Sequence, residues 1–191
     1  MATENRLHER LLVLRYQAGD EKAFAELVRR YHGGLTYFVR RLAKNPAAAD
    51  DIVQDGWLKA FRRLRTLRDP DAFRVWLYRI ARRRAFNALR DAKHFQPLRE
   101  DLAASDREGP EEKAFRAEEA PLVHRCMEAL RPEHREVLLL RFLEEMSYES
   151  IAEVVGCNVG TVRSRLHYAK AALRREMERD HGWTAGFVRR F

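Results

Sequence analysis

The amino-acid sequence predicts an all-α protein: two small helical domains joined by a flexible acidic linker, the C-terminal one a helix-turn-helix. Three observations lead there. Apolar residues recur at i, i+3 and i+4 along most of the chain, and strict alternation is nearly absent. Helix punctuation is dense: Asp20, Asn45, Asp69, Ser147 and Asn158 stand just before apolar stripes, and Pro46, Pro70 and Pro132 occupy first helical positions. The charge also falls into blocks. Residues 1–94 hold 21 Lys and Arg against 11 Asp and Glu, residues 95–120 hold 4 against 8, and residues 121–191 hold 12 against 10. Pro97, Gly109 and Pro110 interrupt the acidic block, which therefore reads as a linker between two folded parts.

The elements follow in order. A short one over 7–16 opens the chain. Gly19-Asp20 introduces a stripe of Ala23, Phe24, Leu27, Val28, Tyr31, Leu35, Phe38, Val39 and Leu42, which Gly33-Gly34 interrupts as a kink. After Asn45-Pro46 a helix turns Ile52, Val53, Trp57, Ala60, Phe61 and Leu64 inward. Asp69-Pro70 opens a helix running to about residue 93, with Phe73, Leu77, Ile80 and Ala81 on its apolar face. Trp76 and Tyr78 on the same helix are expected in the core, since large aromatics at helical spacing usually pack inward. Beyond the linker, 114–130 reads as a helix, and Pro132 starts another with Val137, Leu138, Leu140 and Leu143 inward. Ser147 caps Tyr148–Val155, and Gly156-Cys157-Asn158 turns into a last helix from 159 to about 180.

That last pair has the layout of a helix-turn-helix. Ala152 is small where the helices cross, and Gly156 supplies a left-handed turn. Val162, Leu166, Ala169 and Leu173 form a buried stripe, leaving Thr161, Arg163, Ser164, Arg165 and His167 on the outer face or its borders. Those side chains suit groove reading near a helix N-terminus, where backbone N–H groups favour phosphate. An ordinary helical hairpin shares the charged outer positions, but not the joint pattern of cap, turn glycine, small crossing residue and Arg-Ser-Arg.

In the N-terminal part, Arg82-Arg83-Arg84 stands beside Asn87 and Arg90 on the helix that carries Trp76 and Tyr78. Adjacent arginines without acidic neighbours repel one another unless a polyanion screens them. Aromatic faces interleaved with Arg suit unstacked bases beside a phosphate backbone. Asp51, Gln54 and Asp55, at i, i+3 and i+4, form an acidic-polar stripe that by itself is most often a solvated face. The net charge of +8 fits a polyanion partner or simply a surface charged for solubility. No catalytic residue, metal or cofactor is expected, because the seven histidines are scattered without ligand spacing and Cys126 and Cys157 have no C-x-x-C partner. No apolar run approaches bilayer length, and Met1-Ala2-Thr3-Glu4-Asn5-Arg6 does not read as a secretory signal. A cytoplasmic protein without membrane insertion is expected.

With these motifs in hand, the sequence resembles a bacterial RNA polymerase sigma factor of the compact extracytoplasmic-function (ECF) group. The resemblance rests on Gly19-Asp20-Glu21-Lys22-Ala23-Phe24, Asp51-Ile52-Val53-Gln54-Asp55, Trp76-Leu77-Tyr78-Arg79-Ile80-Ala81, the run from Leu130-Arg131-Pro132 through Glu136-Val137 to Leu140, and Val159-Gly160-Thr161-Val162-Arg163-Ser164-Arg165-Leu166. It covers about residues 20–93 and 121–178. It implies a non-enzymatic initiation factor whose partners are core RNA polymerase (mainly the largest-subunit clamp helices and the flap), promoter DNA and an anti-sigma factor.

The implied organisation is a region 2 domain at 1–94, an acidic linker at 95–120 threading cationic polymerase channels, a region 4 domain at 121–180 and a tail at 181–191. The resemblance assigns Asp51, Gln54, Asp55, Trp57 and Lys59 to polymerase binding. It assigns Arg68, Arg74, Arg82, Arg83, Asn87 and Arg90 to the −10 element as single strand, with the loop 65–69 walling a pocket for a flipped base. Asn158, Thr161, Arg163, Ser164, Arg165, His167 and Lys170 go to the −35 duplex. Gly56 and Trp57 depart from residues common in relatives without abolishing docking, while Leu67 and Arg83 depart where some relatives read the −10 element, so no −10 preference carries over. A stand-alone helix-turn-helix regulator would not need the Asp51 stripe. A sigma-like decoy for an anti-sigma factor would not need the arginine run and an intact helix-turn-helix.

Overall fold

The structure, a computed structural model, describes residues 2–43, 46–94 and 120–179, and the regular elements among them are helical. Asn45, the start of the helix expected at 114, the linker charges and the tail lie outside the described residues. The chain divides into two compact units, Met1–Leu102 and Ala103–Phe191.

The first unit packs four helices: α1 (Ala2–Gln17), α2 (Glu21–Leu42), α3 (Pro46–Arg63) and α4 (Phe73–His94). Asp20 caps α2 by accepting from the Lys22 N–H at 3.0 Å, and the Arg15 guanidinium of α1 grips the same carboxylate at 2.6 and 3.0 Å. Those bonds hold its carboxyl below the ordinary aspartate range. The stripe Ala23, Leu27, Tyr31, Leu35, Phe38, Val39 and Leu42 is buried. The expected interruption at Gly33-Gly34 does not occur, because α2 runs straight through it. Each mid-helix glycine costs about 1 kcal/mol, and the buried stripe on both sides offsets it.

Aromatic rings knit the helices together. Phe38 meets Tyr78 edge-on at 5.3 Å between centroids, Tyr31 meets Phe73 at 5.7 Å, and Phe24 meets Trp57 at 5.9 Å. Tyr78 is buried as expected and Trp76 is half-buried. Phe61, expected inward, stays partly exposed at the rim, its ring leaning on Phe24 and Tyr16. The α3–α4 turn is held from α1: Tyr16 donates to the Phe61 carbonyl at 2.7 Å, and Gln17 donates to the carbonyls of Leu64 and Leu67. Asp69 then caps the 3-10 turn Pro70–Ala72 that leads into α4. Inside, the Tyr31 hydroxyl donates to the buried Glu9 carboxylate. Burial pushes that carboxyl up, against the pull of Tyr31, Arg74 and Arg30.

The second unit comprises α5 (Ala120–Glu128), α6 (Pro132–Leu138), α7 (Tyr148–Val155) and α8 (Val159–Arg179). Arg135 donates to the carbonyls of Met127, Glu128 and Leu130 at 2.9, 2.7 and 3.1 Å, covering the end of α5. Past Leu138 the backbone widens into a π-helical turn, Leu139–Leu143. The wider turn shifts the register, so Leu140 is buried while Leu143, expected inward, is exposed beside Phe142.

Ser147 caps α7, and Gly156 ends it at φ 75° with its N–H on the Ala152 carbonyl at 2.8 Å. A Cβ there meets no atom within 4 Å, so backbone strain alone opposes a side chain. Gly156→Ala is expected to cost about 1 kcal/mol, read as a lower urea midpoint at unchanged slope. Asn158 Oδ1 accepts from the Thr161 N–H at 2.7 Å and from its hydroxyl at 2.9 Å, starting α8. Val162, Leu166, Ala169, Leu173 and Met177 are buried.

Candidate functional site

On α8 the apolar stripe is sunk into the unit, and the opposite side carries cations. Arg163, His167, Lys170 and Arg174 recur at i, i+4, i+7 and i+11, which places them on one side of a helix. Arg163, Ser164, His167 and Arg174 are exposed, and the half-buried Lys170 sets its ammonium 4.9 Å over the Phe142 ring. Arg174 was not among the sequence candidates, although the same spacing continued far enough to find it. Tyr168, 62% exposed with its ring edge-on to His167 at 5.4 Å, was also missed. Asn158 serves as the cap, with the half-buried Thr161 beside it.

Arg165, half-buried, lies at the border of that face. Its Nη1 lies 3.6 Å from Oε1 of Glu136 on α6, a residue with 0% exposure. A carboxylate that deep is stabilised by a cation, so the guanidinium is drawn toward the interior.

His134 lies in the field of the same arginine. Burial, with Arg131 and Arg165 nearby, lowers its pKa below the ordinary 6.5. The folded state therefore favours neutral His134. Its contribution to stability is present above pH 6.5 and is lost as pH falls through the depressed folded value. Thermal unfolding from about pH 7.5 down to 5 is expected to show a fall in Tm that is shallower in His134→Gln.

On α4, Arg79, Arg83, Asn87 and Arg90 recur at i, i+4, i+8 and i+11 along one side. The arginines among them are exposed and Asn87 is half-buried. Arg79 had not been singled out, though it starts the same spacing. The run Arg82-Arg83-Arg84 is dealt out around the helix, and its expected mutual repulsion is partly met inside the fold. Arg84 pairs with Asp55 of α3 at 2.9 Å, and Arg82 stacks 4.5 Å over the Phe86 ring. Arg74 is half-buried, and its charge and backbone N–H favour the ionised form of the buried Glu9. Arg68 is exposed in the α3–α4 turn.

On α3, Asp51 and Gln54 are exposed, Lys59 is half-buried, and Asp55 is tied to Arg84. Trp57 does not belong to this surface. It is 8% exposed, with its ring edge against Phe24 in the core. Leu58, exposed at i+7 from Asp51, continues the stripe and was missed. Among the described residues, no group of three or more His, Cys, Asp or Glu could hold a metal ion, and no helix is long and apolar enough to cross a membrane.

A helix-turn-helix with an exposed cationic second helix, in a chain with a separate helical unit bearing its own cationic face, defines a DNA-binding protein of two parts. Comparison with known proteins makes this specific. Residues 27–95 match the family model of sigma-70 region 2, and residues 121–173 match that of sigma-70 region 4. The RNA polymerase sigma-H factor of Pseudomonas aeruginosa is 36% identical over 181 residues, covering 87% of this chain and 92% of that protein. The ECF RNA polymerase sigma-E factor of Escherichia coli K12 is 37% identical over 179 residues, covering 87% and 93%. The solved structure of CnrH in complex with the cytosolic domain of CnrY is similar with a TM-score of 0.66 at 28% identity, covering 91% of this chain and 99% of that one. The chain belongs to the ECF family of RNA polymerase sigma factors. It is a non-enzymatic initiation factor that binds promoter DNA with core RNA polymerase and directs it to promoters.

Proposed function

We propose that the two units divide promoter recognition between them. A region 2 domain at 1–94 docks on the clamp helices of the largest polymerase subunit through Asp51, Gln54 and Leu58. It holds the −10 element as single strand along Arg79, Arg83, Asn87 and Arg90 of α4, with the loop 65–69 and Arg68 beside an extruded base. A region 4 domain at 121–180 reads the −35 duplex with Arg163, Ser164 and His167, while Lys170 and Arg174 meet phosphates and the polymerase flap holds the domain in place. The acidic segment 95–120 joins the two inside polymerase.

The observation that carries this reading is that α4 and α8 each bury an apolar side and leave a cationic one open. The protein works in the cytoplasm and is restrained by an anti-sigma factor, a reading supported by the likeness to CnrH, which was solved with the cytosolic domain of CnrY.

Run-off transcription with purified core polymerase tests the assignment, with upstream sequence preference as the readout. Arg163→Ala is expected to cost roughly 1–3 kcal/mol on the preferred −35 sequence and to relax preference at one position. Lys170→Ala is expected to weaken all sequences alike and to lower the salt slope by about 1. An unchanged preference in Arg163→Ala counts against base reading by α8.

A further inference from the structure

We propose that Glu136 is a positioning residue for duplex recognition: through its ion pair with Arg165 it sets the rotation of α8 and so the presentation of Arg163, Ser164 and His167, without either partner touching DNA bases. The proposal rests on the reading of α8 as the duplex-recognition helix. Its ground is the geometry of the pair. Glu136 lies on α6 at 0% exposure, and Arg165 reaches it from the recognition helix at 3.6 Å.

Burial of the stripe Val162, Leu166, Ala169, Leu173 and Met177 holds α8 to the unit, but apolar attraction is non-directional and tolerates small rotations. A charge pair spanning two helices adds a restraint with a direction, because turning α8 lengthens the separation and weakens an attraction that the low dielectric around Glu136 makes strong. Arg165 follows Ser164 directly and lies two residues beyond Arg163. Successive residues step by about 100°, so drawing Arg165 toward α6 turns Arg163 to the far side of α8. The direction of the groove-facing side chains is thus set partly by a residue on another helix.

The test uses holoenzyme assembled from the full chain and core RNA polymerase, selecting from duplex DNA randomised across the upstream element. Three variants are compared: Glu136→Gln, Arg165→Gln and the double. Each single variant is expected to lose about five- to tenfold in discrimination between the preferred and random upstream sequences. Affinity for random duplex and its salt slope stay unchanged, since no phosphate contact is removed. The double variant loses no more than the worse single one, because both remove one interaction.

Circular dichroism and thermal unfolding check the fold. Where Arg165→Gln fails to fold, Arg165→Lys, which keeps the charge but shortens the reach, takes its place with the same expected loss. A lower Tm with the wild-type preference profile overturns the proposal in favour of a purely structural pair. A fall in salt slope of about 1, or relaxed preference at a single position, in Arg165→Gln but not in Glu136→Gln makes Arg165 a DNA contact and overturns it as well. Arg163→Ala in the same selection separates the two failures: if it too leaves the profile unchanged, the reading of α8 itself is wrong.

Discussion

Replacing Arg83 and Asn87 together by Ala is expected to cut open-complex formation on duplex promoters about 10- to 100-fold while leaving a template already mismatched across the −10 element nearly unaffected. The reason lies in where the two residues sit. They share the open side of α4 with Arg79 and Arg90, whereas Arg84 is held by Asp55 and Arg82 lies over Phe86. Duplex binding needs only cations, but a melted strand also needs sites that offset the few kcal/mol lost for each unstacked base. Permanganate-reactive thymines downstream measure opening, and core binding with upstream footprints should persist. Equal impairment on duplex and pre-melted templates would mean that the residues act in docking or folding rather than in opening. Arg84→Ala supplies the contrast: its main effect should be loss of an exposed ion pair worth about 0–1 kcal/mol.

Asp51→Ala combined with Gln54→Ala is expected to weaken binding to core polymerase by roughly 1–2 kcal/mol, about 5- to 30-fold, with helicity unchanged. Both side chains are exposed and point away from the core. Asp55→Asn should cost less, because its carboxylate is already engaged by Arg84. Trp57→Ala should also weaken binding, but by another route. A buried tryptophan removed from the Phe24 contact costs about 3–5 kcal/mol of stability, visible as a lost thermal transition. A pull-down titration with circular dichroism on each variant separates these cases, and undiminished affinity of the Asp51/Gln54 variant would count against α3 as the docking surface.

The contrast between Asp51 and Trp57 shows where sequence reasoning stops. Both fall on α3, and the helical period separates an exposed 51 and 54 from a buried 53, 57 and 60, yet the family resemblance placed Trp57 on the surface. The caps at Asp20, Asp69, Ser147 and Asn158, the left-handed Gly156, the long stripe of α2 and the α7–turn–α8 pair were all legible from the residues alone. Each is decided within about four residues, by a side chain reaching its own backbone or by the 3.6-residue period. The open sides of α4 and α8 were legible for the same reason, and following the period further along the chain would have added Arg79 and Arg174.

What the sequence by itself determined, then, is the helices, their caps and which side of each is apolar. Tertiary structure decided the destination of individual charges. Arg165 turns to Glu136, Arg84 to Asp55 and Arg74 toward Glu9, each across a helix interface and at separations of 29, 29 and 65 residues. It also decided the π-helical turn that exposes Leu143 and the unbroken passage of α2 through Gly33-Gly34. A long charged side chain can reach solvent, phosphate or a carboxylate on a neighbouring helix at similar local cost. For Arg165 and Arg74 the packed neighbour, by burying Glu136 or Glu9 and lowering the dielectric around it, makes one of those choices much the strongest, whereas Arg84 meets a half-exposed Asp55 and gains little.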